Sequence, residues 1–187
     1  MFESMIDPTG APDPVTAPGT GPALAPRPGD LAGLRLGLLL NTKRNAAELV
    51  DAIAERFTRG HGTVVSARHT KPFINDPVSP EVLADLVDRC DVVVVGVGDC
   101  GSCSASAVTD GIALEAAGVP AAVVCSEAFR ATADAMATLR GSPGYDYACV
   151  PHPVASLDAA GVAVRADGVL PELVRLLSSP AGDRVGT

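Results

Sequence analysis

The sequence predicts an α/β protein: a single domain built on an open parallel sheet of about five strands, with helices on both faces. Four consecutive valines from Val92 to Val95 lead into glycines, and such a continuous β-branched run is typical of a strand buried on both faces. Apolar residues at helical spacing follow this run, at Val108, Ile112 and Ala116. Strand-like and helix-like segments alternate along the chain, which favours right-handed β-α-β units and a parallel sheet.

The strands are predicted from short apolar runs that are bounded by turn residues. In chain order they are expected at residues 34–40, 63–67, from 92 onward, 121–125 and 147–150. A weaker segment at residues 161–164 is predicted as a further edge strand. We expect the strand order 2-1-3-4-5, in which the loops after strands one and three face each other at the topological switch point.

The helices are predicted from apolar positions that repeat at a period near 3.6 residues. Asn45 is expected to cap the first helix, with Glu48 three residues on completing a variant of the capping box. Gly141 is expected to end the fourth helix. The helices are predicted to begin at or just after these residues, in chain order: Asn45, Ser79, Cys100, Ser126 and Leu170.

Composition narrows the class of protein. A length of 187 residues suits one domain, and 47% hydrophobic residues without a long apolar run predict a soluble chain. The formal charge of −8 argues against binding to nucleic acid or to anionic membranes. The acidic start lacks the features of a signal peptide, so we expect a cytoplasmic location, where five cysteines do not form a disulfide framework.

Residues 1–30 form a proline-rich N-terminal arm, and residues 31–187 form the α/β domain. Prolines mixed with Gly, Ala and Thr form neither ladders nor helices, so the arm is expected to be extended. The arm is either loose or lies on a partner. That partner is either a second copy of the chain, in a homodimer, or a different protein. The segments 5–8 and 24–26 are expected to act as short anchors.

The chemistry is predicted to centre on Cys100-Gly101-Ser102-Cys103, where strand three turns into its helix. Cys100 and Cys103 share a face of the first helical turn, so their sulfur atoms can reach bonding distance. Helix N-termini lower thiol pKa values, which makes Cys100 the expected nucleophile and Cys103 the resolving thiol. Gly101 allows close approach of a bound group, and Ser102 can donate a hydrogen bond. A zinc site is disfavoured because there is no second cysteine pair, so no metal is expected.

Residues after the first two strands are candidate substrate contacts. Asn41, Lys43 and Asn45 lie in the loop expected to face Cys100. Lys43 either neutralises a substrate carboxylate or the thiolate, or is an ordinary exposed lysine. Lys71, at the end of strand two, is either a ligand contact or a solvated loop charge.

Proton-transfer candidates follow strands four and five. His152, between two prolines, is the better candidate because histidine is the side chain suited to proton transfer near neutral pH, with a plain loop histidine as the alternative. Glu127 is either an acid or base or a first-turn glutamate that complements the helix dipole. Asp99 is expected to turn away from the thiol, cap the helix or accept a backbone N–H, and Asp110 to lie on the helix surface or in packing.

The remaining cysteines lie at the ends of elements within apolar runs, and they are expected to be buried as small hydrophobes. They are Cys90, Cys125 and Cys149. A G-x-G-x-x-G spacing from Gly96 to Gly101 follows a strand, but cysteine occupies its middle and no acidic residue ends strand four. We therefore expect neither a dinucleotide nor another resident cofactor.

The chain resembles the UGSC family, which is called after its Sec-Gly-Ser-Cys motif. The matching segments, taken in order, are Asp7-Pro8-Thr9-Gly10, Leu24-Ala25-Pro26-Arg27-Pro28, Asn41 to Ala46, Lys71-Pro72, Gly96 to Cys103, Asp110-Gly111, Ser126 to Phe129 and Val150 to Pro153. The family is more distantly similar to the selenoprotein B subunits of glycine, sarcosine and betaine reductases. The resemblance implies that Cys100 occupies the position of selenocysteine, where nucleophilic or redox chemistry matters.

Three functions are compatible with these residues. In the first, the Cys100 thiolate attacks a small polar electrophilic substrate, Cys103 resolves the adduct, and an external dithiol resets the pair. In the second, a redox-neutral lyase or hydrolase uses Cys100 with His152 or Glu127. In the third, the protein is a thiol carrier or a subunit that docks through its arm. The first is our leading hypothesis.

Overall fold

Five parallel strands form one sheet in the order β2-β1-β3-β4-β5, in a computed structural model that describes residues 23–178. The predicted fold class and strand order are therefore confirmed. The strands are β1 (Arg35–Leu40), β2 (Val64–Thr70), β3 (Val92–Gly98), β4 (Ala121–Ser126) and β5 (Ala148–Val150). The helices are α1 (Ala46–His61), α2 (Pro80–Arg89), α3 (Gly101–Ala116), α4 (Arg130–Leu139) and α5 (Ala159–Ser178), with a 3₁₀ turn at Glu127–Phe129 before α4.

Strand β3 lies at the centre of the sheet, and every one of its residues is buried. It pairs with β1 on one side and with β4 on the other. This explains the unbroken valine run, because a strand covered by helices on both faces has no side that favours polar residues. One face packs against α1 and α5, and the other against α2, α3 and α4.

Helix α5 differs from the sequence prediction. Residues 161–164 were expected to form an edge strand and the last helix to begin near Leu170, but one continuous helix spans Ala159–Ser178 and contains Pro171. Its buried positions run through Pro171 at helical spacing. Burial of this stripe against α1 and β5 outweighs the hydrogen bond that proline removes.

The last residues of the arm are fixed to the domain. Ala25 is buried and its N–H donates to Glu115 Oε2 over 2.8 Å. The Arg27 guanidinium bonds both oxygens of Glu115, at 2.5 and 2.7 Å, and also donates to the carbonyl of Leu176 at 2.8 Å. The anchor predicted at 24–26 is thus confirmed, whereas the one predicted at 5–8 lies outside the described residues. Within residues 23–178, each helix is too short or too polar to cross a bilayer.

Candidate active site at the carboxyl edge of the sheet

Two polar groups of the first turn of α3 lie beside the Cys100 sulfur. Cys100 is the N-cap residue of this helix, in extended conformation directly after β3. Its Sγ accepts the backbone N–H of Cys103 at 3.3 Å and lies 3.6 Å from Ser102 Oγ. Such contacts favour a charged sulfur over a neutral one, because they add to the partial positive charge of the helix N-terminus.

Cys100 and Cys103 are joined by a disulfide bond. The prediction that their sulfur atoms reach bonding distance is confirmed. Cys100 is partly exposed whereas Cys103 is fully buried, so only Cys100 is open to a molecule from solvent. This difference in exposure suits the order of roles expected from the sequence, with Cys100 attacking and Cys103 following.

Two glycines around the thiols serve different purposes. A Cβ on Gly98 would lie 2.7 Å from Cys125 Sγ and 2.8 Å from the Cα of Ser104, so only glycine lets α3 pack this closely on β3. A Cβ on Gly101 would have Thr132 Oγ1 as its nearest neighbour, at 3.9 Å. The protein's own packing therefore leaves room at Gly101, beside the exposed thiol.

Asp99 is a buried carboxylate with four polar neighbours. Its Oδ2 accepts the backbone N–H groups of Val154 and Ala155 at 3.1 and 3.0 Å, and its Oδ1 lies 2.9 Å from His152 Nδ1. Burial opposes ionisation of Asp99, but these N–H groups together with Ser126 and His152 hold its pKa below the ordinary value. Of the expected roles, acceptance of backbone N–H groups is confirmed, and helix capping is wrong because Cys100 caps α3.

His152 stands at the end of β5 with its ring fixed from two sides. Ser126 Oγ lies 3.2 Å from Nδ1, and the Phe129 ring meets the imidazole edge-on at 5.3 Å between centroids. The side chain is 39% exposed. The structure thus brings His152 to the residue that directly precedes Cys100, and its proton-transfer role stays a prediction.

The loop after β1 is tied to β3 and to the loop after β5. Asn41 is buried, donates to the carbonyl of Val97 at 2.8 Å and accepts the N–H of Lys43 at 3.0 Å. Lys43 is half-buried, and its substrate contact stays a prediction.

The capping box predicted at Asn45 and Glu48 is wrong. Asn45 adopts a left-handed conformation, φ 63°, and its side chain does not cap α1. The amide donates instead to the carbonyls of Val154 and Leu157, both at 2.9 Å. Asparagine tolerates this backbone conformation, which turns the side chain away from the helix and toward the loop that carries His152.

Lys71 is buried, so the solvated loop charge is wrong. Its ammonium bonds Asp110 at 2.5 Å, Ser106 at 2.6 Å and the carbonyl of Asp76 at 2.8 Å. Asp110 is fully buried rather than on the helix surface, and burial raises its pKa against the opposing effect of Lys71. These bonds fasten the loop after β2 to α3, so the contacts seen for Lys71 are all internal.

Glu127 and the remaining cysteines complete the predicted set. Glu127 is exposed at the first position of the 3₁₀ turn, next to Ser126, and shows no hydrogen bond to the histidine cluster within the described residues. Burial raises the pKa of Cys90 to about 11 and that of Cys125 to about 12. Cys90 and Cys125 are buried as expected, while Cys149 is only partly so, and burial also raises its pKa.

Sequence reasoning missed the group formed by Asp99, Ser126 and His152. These residues are far apart in the chain and end three neighbouring strands, β3, β4 and β5. The one available signal was the register rule that carboxyl ends of parallel strands meet at one edge, which places residues following adjacent strands together. Among residues 23–178, no group of three or more His, Cys, Asp or Glu side chains is arranged to hold a metal ion.

Fold and site together define a class: a single α/β domain with a dithiol at the switch-point edge of its parallel sheet, beside an aspartate–histidine pair. The family model described as the UGSC family matches residues 4–179, nearly the whole chain. The protein therefore belongs to the UGSC family. No curated protein matches the chain, and the distant similarity to selenoprotein B subunits stays a prediction.

Proposed function

We propose that the protein is a cysteine-dependent enzyme that reductively cleaves a small polar electrophile. The proposal is carried by one observation: the partly exposed Cys100 and the buried Cys103 are bonded sulfur to sulfur at a helix N-terminus. A thiol pair that bonds in place can convert a covalent adduct into a disulfide without movement of the backbone.

In the first step, the Cys100 thiolate attacks the electrophilic carbon of the substrate. A carbon–sulfur bond forms, the bond to the leaving group breaks, and the leaving group departs with the electron pair. The N–H of Cys103 stabilises the thiolate before attack. The open side of Gly101 and the hydroxyl of Ser102 provide room and a hydrogen-bond donor beside the reacting carbon.

In the second step, the Cys103 thiolate attacks the Cys100 sulfur. The sulfur–sulfur bond forms as the carbon–sulfur bond breaks, and the carbon leaves as a carbanion that takes up one proton. The substrate carbon gains two electrons, which the two thiols lose. A neighbouring carbonyl on the substrate makes this step feasible, because it spreads the negative charge. An external dithiol then reduces the disulfide.

A redox-neutral reaction is the second candidate, and the fixed ring of His152 favours it. In that case Cys100 adds to the substrate or exchanges a proton with it, and His152 transfers protons without oxidation of Cys103. Glu127 is the weaker proton donor of the two, since it is exposed and makes no hydrogen bond to this cluster in the described region. A thiol carrier, the third candidate, would exchange electrons with a partner protein and bind no substrate carbon.

The same proposal sets the expected surroundings of the reaction. The substrate is a small molecule, with Lys43 as the candidate contact for a carboxylate. No resident cofactor is needed, because the external dithiol supplies the electrons. The arm at residues 1–30 is the proposed docking element for a partner protein or a second copy. A reducing compartment such as the cytoplasm keeps the pair ready for the next cycle.

The proposal is tested with chloroacetone, a small electrophile whose carbonyl stabilises the released carbanion. Reduced wild-type protein should release one acetone per protein while Cys100 and Cys103 become a disulfide, and dithiothreitol should allow repeated turnover. Cys103→Ser should stop after the first step, with an acetonyl group on Cys100. Cys100→Ser should do neither, and Cys125→Ser should match wild type.

The outcomes separate the three functions. A stable acetonyl adduct on Cys100 in the wild type, without acetone or disulfide, removes Cys103 as resolving thiol and favours the redox-neutral reaction. A disulfide that cycles with the dithiol while no carbon is ever trapped in Cys103→Ser favours the carrier.

A further inference from the structure

We infer that Asp99 is a positioning residue that holds His152 with its proton on Nδ1 and leaves Nε2 as the proton-transfer atom for Cys100. As a route for protons in the cleavage reaction, the inference rests on the proposed function. As a statement about the imidazole, it stands on geometry alone and can be tested without a substrate.

The Asp99 carboxylate is fixed in one orientation. Its side chain is 1% exposed, and Oδ2 is held by two consecutive backbone N–H groups, those of Val154 and Ala155. This leaves Oδ1 to face His152 Nδ1 at 2.9 Å. The carboxylate cannot rotate without losing both N–H bonds in a buried position, which is costly.

The Asp99 carboxylate favours a proton on His152 Nδ1. An ionised carboxylate can only accept, so Nδ1 must be the donor in the contact with Asp99. Ser126 is fully buried at the end of β4, and its hydroxyl lies 3.2 Å from Nδ1. A hydroxyl can accept as well as donate, so this contact is compatible with a proton on Nδ1. The neutral imidazole is therefore left with its lone pair on Nε2.

A second Asp–His pair in the same chain shows that the contact alone does not build this arrangement. His69 Nε2 lies 2.7 Å from Asp85 on the surface, with side-chain exposures of 30% and 34%. Among residues 23–178 no backbone N–H donates to Asp85, which also contacts the Arg89 guanidinium. His69 therefore contacts its carboxylate through Nε2. His152 contacts Asp99 through Nδ1, and its Nε2 makes no hydrogen bond within the described residues.

The position of His152 gives Nε2 two uses in one cycle. As a base, it takes the proton of the Cys100 thiol, and the imidazolium that forms is stabilised by Asp99. As an acid, it gives that proton to the carbanion released when Cys103 attacks Cys100, and it returns to the neutral form. The proton balance closes over the cycle: the Cys100 proton ends on the substrate carbon, and the Cys103 proton is released to solvent, where it balances the charge of the departed leaving group.

The test is long-range ¹H–¹⁵N correlation of the imidazole rings in reduced, ¹⁵N-labelled protein, read at a pH where the histidines are neutral. His152 should show a protonated Nδ1 and a bare Nε2. Asp99→Asn should reverse this: its carbonyl oxygen remains with the two backbone N–H groups, and its amide then donates to Nδ1, which moves the proton to Nε2. Ser126→Ala should keep the wild-type form.

Asp85→Asn is the matched control, and it should alter only the resonances of His69. A bare Nδ1 on His152 in the wild type overturns the inference, and so does an unchanged ring in folded Asp99→Asn. The wild-type and Ser126→Ala spectra decide the matter even where Asp99→Asn does not fold.

Kinetics with chloroacetone provides the functional readout. Asp99→Asn and His152→Gln should each slow acetone release by about 10² or more, the scale of general acid–base catalysis, and together by no more than either alone. Slow release with the predicted ring form supports the inference; normal release overturns the role in proton transfer. If no acetone forms from wild type, the proposed function fails. The NMR spectra still test, independently of that result, whether Nδ1 of His152 carries the proton.

Discussion

The protein contains two pairs of neighbouring cysteines, and they have opposite chemical properties. Cys100 and Cys103 are bonded at the N-terminus of α3, with one sulfur open to solvent. Cys125 and Cys149 are partners in the register of β4 and β5, yet both are free thiols. Burial raises the pKa of Cys125 to about 12 and also raises that of Cys149.

The difference shows that closeness of two thiols does not by itself make a redox pair. The first pair has an N–H donor aimed at sulfur and a helix N-terminus behind it. The second pair lies within a sheet whose backbone N–H groups bond other strands, and the nearby Arg130 offsets only part of the cost of burying its thiolates. The predictions below test this contrast, from the largest expected effect to the smallest.

The two pairs should differ most in their reaction with an alkylating reagent. At pH 7 a thiol with a pKa of about 12 is almost entirely protonated. A thiolate of high pKa is the stronger nucleophile, but this offsets only part of the rate lost through its low population. Reduced Cys100 should therefore be alkylated about 10³-fold faster than Cys125 in the folded protein. Peptide-resolved mass spectrometry of iodoacetamide labelling measures both rates in one sample. Equal rates would remove the contrast.

The position of α3 depends on a buried ion pair. Lys71→Met leaves Asp110 buried without its partner and should lower the free energy of unfolding by about 3–5 kcal/mol, measured by urea denaturation of the reduced protein. Arg68→Met, which breaks the exposed pair with Asp51, is the control and should cost about 0–1 kcal/mol. A loss at Lys71 no greater than that at Arg68 would mean that α3 is held by other contacts.

The two glycines beside Cys100 differ in role: Gly98 allows α3 to pack on β3, and Gly101 leaves room beside the Cys100 sulfur. Gly98→Ala should destabilise the protein by about 1–3 kcal/mol, since its Cβ would press on Cys125 and on the backbone of Ser104. Gly101→Ala should leave stability within about 0.5 kcal/mol but slow the reaction of Cys100 with chloroacetone. Thermal unfolding and adduct formation report the two effects separately. The reverse ranking of stabilities would contradict the packing described here.

Alkaline pH should expose the raised pKa of Cys125. Above the pKa of an unfolded thiol, about 8.5, the unfolded chain loses a proton that folded Cys125 keeps, so the free energy of unfolding falls as pH rises. This thiol alone contributes a slope of about 1.4 kcal/mol per pH unit until the folded pKa is reached. Urea unfolding of reduced protein between pH 8 and 10 should show a shallower slope for Cys125→Ala than for wild type. Identical slopes would mean that Cys125 is not held as a thiol.

Much of the fold could be predicted from local patterns, and the errors have physical causes. The valine run of β3 has one favourable environment, the centre of a parallel sheet, and β3 lies there. The strand order was predicted from the common arrangement of such sheets and is confirmed as well. Pro171 was interpreted as a helix start because proline suits that position, whereas here the apolar stripe of α5 continues through it. Local preference was overridden by burial.

The sequence predicted the contacts of the candidate site that lie within one helical turn, but not those between segments far apart in the chain. The Cys100–Cys103 contact follows from a spacing of three within one helical turn. The partners of Asp99 and Lys71 come from other strands and loops, so the sequence offered only their residue types. The partners of buried charged residues were therefore the part of the site that the sequence predicted least well.

The most direct test of the thiol pair is oxidation of fully reduced protein in graded mixtures of oxidised and reduced dithiothreitol, followed by intact mass and peptide mapping. We predict a single linkage between Cys100 and Cys103 that is absent from Cys100→Ser and Cys103→Ser, while Cys125 and Cys149 stay reduced. A link between Cys125 and Cys149 under the same conditions, or no link at Cys100, would contradict the assignment of the reactive dithiol to the N-terminus of α3.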